Sequence, residues 1–184
     1  MRTGSTSGTS QTAVIVPVAA AEPVVGQHRA TLDVASAWGV PAHVTVLYPF
    51  APPARVDTRL CEALQTAIAS VSAFDCTFAD VGWFGQDVLW LAPSPSETFR
   101  DLTRAVLAAF PDFPPYGGAH EGEPTPHLTV GELALAGSVE RLRSVESDVL
   151  LSLPIASKVD VAWLIAGDEA AESWRLVHEF PLGG

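Results

Sequence analysis

The sequence predicts an α+β fold of two similar lobes, on three observations. Two short segments echo each other: Pro41-Ala42-His43-Val44-Thr45-Val46 and Pro126-His127-Leu128-Thr129-Val130. Both are apolar and β-branched, the signature of strands. Each is followed by an amphipathic helix and then a hairpin, so the order of elements repeats. With 184 residues and 48% of them hydrophobic, the chain can bury one sizeable core shared by both lobes.

Residues 1–11 are rich in Ser, Thr and Gly and read as a flexible tail, neither signal peptide nor anchor. That leaves residues 12–184 as a single bilobal domain. Residues 12–18 form a strand with a Pro near its end. Residues 22–38 are read as a helix stopped by Gly39. The first His motif is a strand over 43–48, closed by Pro49. Residues 56–71 carry a helical stripe of Leu60, Leu64, Ile68 and Val71. Residues 74–82 and 87–91 are strands joined near Gly85-Gln86, a hairpin signal.

Residues 96–110 form a helix for which Ser96 is the expected cap. Residues 111–126, rich in Pro and Gly, form a loop longer than most connections in compact domains. It leads into the second His motif. A helix over 137–150 and strands over 159–165 and 174–180 complete the chain. Ala79-Asp80-Val81-Gly82-Trp83 in one hairpin is matched by Val159-Asp160-Val161-Ala162-Trp163 in the other. A pseudo-two-fold relating the lobes would set the two His-x-Thr strands face to face across a cleft.

Charge narrows the partners. The net charge is −11, with only ten Lys and Arg, and these do not cluster. Proteins that grip long nucleic acid carry a basic stripe, so duplex nucleic acid is not an expected partner. No apolar run reaches the ~18 residues needed to span a membrane. Cys61 and Cys76 match neither a zinc nor a redox spacing. They are expected as free buried thiols in a cytoplasmic protein.

In a strand, residues two apart share a face. His43 and Thr45 therefore point one way, as do His127 and Thr129, while Val44, Val46, Leu128 and Val130 point to the core. Hydrolysis of a phosphate ester needs a base for water, an acid for the departing oxygen, and donors for the phosphoryl oxygens. Two imidazoles and two hydroxyls supply that set, with no metal and no cofactor. A single His on a strand is usually a satisfied surface or core residue; the matched pair is what points to chemistry. Tyr48, Trp83, Phe84 and Tyr116 are candidates for a stacking wall against a base, Tyr116 foremost. His120, Glu121, Glu123 and His127 look like metal ligands but match no standard ligand motif. His28 and His178 read as surface or structural residues.

These residues resemble the two-histidine phosphoesterase superfamily, and within it the bacterial proteins similar to 2′-5′ RNA ligase. The likeness runs over roughly residues 12–182. It is strongest at Gly39-Val40-Pro41-Ala42-His43-Val44-Thr45-Val46-Leu47-Tyr48-Pro49-Phe50, and good at Pro115-Tyr116-Gly117-Gly118 and Phe180-Pro181-Leu182. Ala42 departs from the family, where a second Pro is common. The resemblance implies a bilobal fold with two antiparallel sheets related by a pseudo-two-fold and helices on the outside. It implies a metal-independent phosphodiesterase, or reversible ligase, acting on 2′,3′-cyclic or 2′-5′ phosphodiesters. The expected partner is a small nucleotide or an RNA terminus, met by a monomer. His127 is implied as base and His43 as acid, though sequence alone does not separate the two roles. Two other readings stay open at this point. One is a nucleotide or RNA-end binding module without turnover; the other is a metal-dependent hydrolase using His120 and His127.

Overall fold

The computed structural model describes residues 10–119 and 122–184. Eight strands among them form two four-stranded antiparallel sheets. One has the order β2-β1-β7-β8, with β1 at Gln11–Pro17, β2 at His43–Leu47, β7 at Val161–Gly167 and β8 at Arg175–Pro181. The other has the order β5-β4-β3-β6, with β3 at Phe74–Phe84, β4 at Val88–Ser94, β5 at Leu128–Glu132 and β6 at Ile155–Val159. The helices are α1 (Glu22–Leu32), α2 (Val34–Ala37), α3 (Thr58–Ala69), α4 (Ser96–Ala109), α5 (Leu133–Ala136) and α6 (Val139–Leu150).

The repeat unit is strand, helix, strand, helix, strand: β1, α1, β2, α3, β3 and then β4, α4, β5, α6, β7, the second unit carrying the extra strand β6 between α6 and β7. In each unit the third strand pairs with the first strand of the other unit, β3 with β4 and β7 with β1. Two helices cross over as well, α1 packing on β5 and α4 on β2. Gly131 makes the first of these contacts possible. A Cβ there would lie 3.0 Å from Leu32 Cβ and 3.1 Å from Leu142 Cδ2. Bare backbone lets α1 press onto β5, which carries the residue after Leu32 to the second His motif.

Alternation along β1 separates two apolar clusters. Val14 and Val16 join the main core beneath the helices, with Leu64, Ile68, Leu102 and Leu142. Ala13 and Ile15 face the other way, into a small cluster with Val40, Ile165 and Trp174. Each fully buried Leu or Phe of the main core contributes about 1.5–3 kcal/mol.

Several elements differ from expectation. The helix read over 22–38 breaks at Asp33, whose extended backbone (φ −128, ψ 118) ends α1 and whose side chain caps α2 through the Ala35 amide at 3.0 Å. Pro95, not Ser96, precedes α4, and no side-chain cap is made there. The helix read over 137–150 is preceded by α5. Gly137, in the left-handed region at φ +76, separates them, and the Ser138 side chain caps α6. The strand read over 159–165 is two strands, β6 and β7, parted at Asp160 and serving different sheets. The loop over 111–126 contains a short 3-10 turn at Pro115–Gly118. Of the expected tail, residues 1–9 lie outside the described residues, and Gln11 opens β1. No helix of the described residues is long and apolar enough to cross a membrane. Cys76 is buried and Cys61 partly so; both are free thiols.

Candidate active site

The two motifs are built alike. His43 begins β2, and His127 immediately precedes β5. Thr45 pairs with Ile15 and Thr129 with Trp90. Beyond each threonine the ladder slips by one residue, Val14 pairing with Leu47 and Leu89 with Gly131. Val46 and Val130 are therefore the extra residues of two matching β-bulges, which re-aim the side chains beyond them. Leu47 and Gly131 turn inward and are buried. Tyr48 and Glu132 instead line the cavity that also holds His43, Thr45 and Thr129. On the first bulge the Thr103 hydroxyl of α4 donates to the Val46 carbonyl at 3.1 Å.

Both imidazoles are pinned by the backbone two residues upstream. His43 Nδ1 lies 2.7 Å from the Pro41 carbonyl, and His127 Nδ1 lies 2.7 Å from the Thr125 carbonyl. A carbonyl can only accept, so each Nδ1 carries the proton. Nε2 is left as the working nitrogen on both rings, a lone pair when neutral and a donor when protonated. Neither Thr45 nor Thr129 has its hydroxyl in a hydrogen bond among the described residues.

Burial pushes the His43 imidazole down to about 4. The Pro41 bond and Asp33 oppose this, while the charges of Arg29 and His127 add to it. The charge of His127 is the smallest of these influences. Burial also lowers His127, against the Thr125 bond and Asp33. Asp33 therefore favours protonation of both rings. It is 3% exposed and paired with Arg29, itself 2% exposed, at 2.8 Å. Arg29 also donates to the Val40 carbonyl at 3.2 Å. Glu132 accepts from the Val34 amide at 3.3 Å and meets the Asp33 carboxylate. Burial, followed by Asp33, raises its pKa, with the Val34 bond opposing.

The cleft has two chambers. The first, about 280 Å³, contains His43 and both threonines, with Trp38, Tyr48 and Trp174 as an aromatic wall. Trp38 and Trp174 stack with centroids 6.4 Å apart, and Tyr48 leans on Trp174 at 6.2 Å. The second, about 540 Å³, contains His127, Phe84 and the loop leading to β5. Tyr116 lines both. Its amide donates to the Tyr48 carbonyl at 2.7 Å, and its backbone is left-handed at φ 52. Farther along the loop, Glu123 is gripped by Arg104 at 2.5 Å and by Arg100 at 3.5 Å. Phe84 meets the His127 ring edge-on at 4.9 Å and stacks on Trp90.

The 2′-5′ RNA ligase superfamily profile matches residues 16–171, most of the chain. The chain belongs to that superfamily. Its fold is shared with TT0787 of Thermus thermophilus, with a TM-score of 0.64, 16% identity, and 95% of this chain and 98% of that one covered. Escherichia coli LigT complexed with 3′-AMP gives a TM-score of 0.58 at 16% identity, covering 95% and 99%. LigT complexed with NADP+ gives 0.57 at 17% identity, covering 97% and 100%. At such identities the likeness establishes the α+β fold alone. No curated protein matches the sequence.

Of the residues singled out from sequence, His43, Thr45, Thr129, Tyr48 and Tyr116 line one chamber, and His127 lines the adjoining one. Phe84 lies beside His127. Trp83 does not join the wall: its indole donates to Glu146 at 2.9 Å and lies under Arg143, against α6. Among the metal candidates, His120 and Glu121 lie outside the described residues, and Glu123 is engaged by the two arginines. Sequence reading missed Trp38, Trp174, Asp33 and Glu132. Glu132 had a signal: it follows His127 at the interval at which Tyr48 follows His43.

Proposed function

We propose that this superfamily member is a metal-independent phosphodiesterase, working as a cytoplasmic monomer. In this reading it hydrolyses 2′,3′-cyclic or 2′-5′ phosphodiesters of small nucleotides or RNA ends. The observation that carries the proposal is the matched pinning of His43 and His127, each by the carbonyl two residues before it. Two rings held in one tautomer, with Nε2 on both unengaged among the described residues, are what a two-proton displacement at phosphorus requires. LigT's complexes with 3′-AMP and NADP+ support a nucleotide as the ligand class.

One Nε2 takes a proton from water, and the water oxygen bonds to phosphorus. The bond from phosphorus to a ribose oxygen breaks, and the other ring's Nε2–H protonates that oxygen. Thr45 and Thr129 donate to the non-bridging oxygens, each worth about 2.7–4 kcal/mol if it acts as an oxyanion donor does. Burial foremost, with the charges of Arg29 and His127 behind it, keeps His43 neutral, which favours His43 as base in hydrolysis. His127 is then the acid, protonated as the phosphodiester anion settles between the rings. This order is the reverse of the one the resemblance implies. In ligation the same groups exchange roles by microscopic reversibility.

The test is turnover of a panel of nucleoside 2′,3′-cyclic phosphates and 2′-5′ dinucleotides in EDTA. Wild type turns over. His43→Ala and His127→Ala each lose about 10²–10⁴ in kcat/KM, the usual worth of positioned acid–base groups. Wild-type rates in the double variant would end the proposal.

A further inference from the structure

The first chamber is well furnished for an aromatic group and poorly furnished for added negative charge. One wall is Trp38, Trp174 and Tyr48, backed by Ile15. The same chamber is lined by two carboxyl groups, Asp33 and Glu132. Neither Lys nor Arg lines either chamber among the described residues. The cation closest to the chemistry, Arg29, is fully buried and spent on Asp33 and the Val40 carbonyl. Arg100 and Arg104 are paired with Glu123, which lines the second chamber. Arg55 sits over Phe113 and Arg143 over Trp83, both away from the cleft. Among the described residues, the groups lining the two chambers that can carry positive charge are the two imidazoles, and that charge is used at the reacting phosphorus.

We propose that the cleft selects a mononucleoside carrying one phosphodiester. The base lies against the tryptophan wall, and Asp33 with Glu132 act against any further phosphate. This rests on the phosphodiesterase reading and narrows it: an RNA 3′ end, whose terminal nucleoside bears a second phosphate on its 5′ oxygen, is a poor substrate. The reasoning is electrostatic. A nucleoside bound with its cyclic phosphate between the histidines holds its 5′ oxygen within the same small chamber. A phosphate there lies within about one Debye length, ~8–10 Å, of the carboxyl pair. Asp33 is balanced by Arg29, so once the pH is above the raised pKa of Glu132, its carboxylate sets the excess charge and is the specificity-determining group.

The experiment compares adenosine 2′,3′-cyclic phosphate with its 5′-phosphorylated counterpart at low and high salt, for wild type and Glu132→Gln. Gln keeps an acceptor for the Val34 amide. At about 20 mM salt the unphosphorylated substrate is favoured by about tenfold in kcat/KM. At about 500 mM salt the preference falls below about threefold. Glu132→Gln shrinks the low-salt preference toward its high-salt value. Equal rates for the two substrates overturn the proposal. So does a preference that neither salt nor Glu132→Gln alters, which would be steric. Calorimetric binding of 2′-AMP against adenosine 2′,5′-bisphosphate separates this from the broader reading. Absent turnover with the same salt-sensitive preference in binding removes the phosphodiesterase and keeps the selectivity. Binding of neither nucleotide removes the selectivity.

Discussion

Replacing His43 with Gln flattens the acid branch of the protein's stability profile. The folded protein holds the His43 imidazole at a pKa of about 4, whereas an unfolded chain protonates it near ~6.5. Between those values the unfolded state binds a proton that the native state does not. Stability contributed by the neutral buried ring is therefore full above ~6.5 and declines as pH falls toward ~4. The slope is about 1.4 kcal/mol per pH unit, which over this window amounts to about 3 kcal/mol. His43 keeps part of its surface exposed, and solvent screening trims the expected loss to about 1.5–3 kcal/mol. Urea denaturation of wild type and His43→Gln at pH 7.5, 6, 5 and 4 reads it directly. Carboxylates elsewhere titrate in both proteins and cancel in the difference. The wild-type advantage should shrink steadily across the series. Two parallel curves would refute the reasoning, since the ring would then titrate alike folded and unfolded.

Single contacts carry the other expected outcomes. Thr129→Val removes one donor facing the cleft; kcat falls about 10²–10³-fold with little change in KM, measured under saturation with a cyclic nucleotide. Arg29→Met strands Asp33 in the interior and costs about 3–5 kcal/mol of stability by urea denaturation at neutral pH. Thr103→Val leaves the Val46 carbonyl of the first bulge without its donor, at a cost of about 1–3 kcal/mol by thermal melting. Gly82→Ala sets a Cβ against the Trp90 ring, well inside van der Waals contact. The indole must shift, costing about 1–3 kcal/mol and moving the tryptophan emission.

Strands and helices were legible because their apolar spacing is strong. Leu60, Leu64 and Ile68 report α3 from sequence alone, and the two His-x-Thr strands report their own cleft-facing residues. What stayed hidden depends on pairing. Strict alternation puts Tyr48 on the face of Val44 and Val46, and only the bulge at Val46 turns it to the cleft. No local signal in Val130 marks the matching bulge that delivers Glu132. Asp33 sits inside what reads as one helix. Its extended backbone is fixed by the Arg29 pair and the cap on α2, contacts that no window of sequence displays. Trp38 and Trp174 are far apart in the chain and meet only because β7 crosses to β1. Cleft residues carried by a single strand were readable; those that depend on two distant segments meeting were not.

The crossing of β3 and β7 bears on the whole molecule. Severed at the Gly85-Gln86 turn, the chain would yield two pieces, each lacking the neighbour that its central strand needs. Neither piece has a finished sheet to fold around. His43 and His127 belong to different sheets, so drawing them apart breaks no ladder but must lift α1 off β5 and α4 off β2. The width of the groove is thereby guarded by two helices, each threaded from one sheet onto the other.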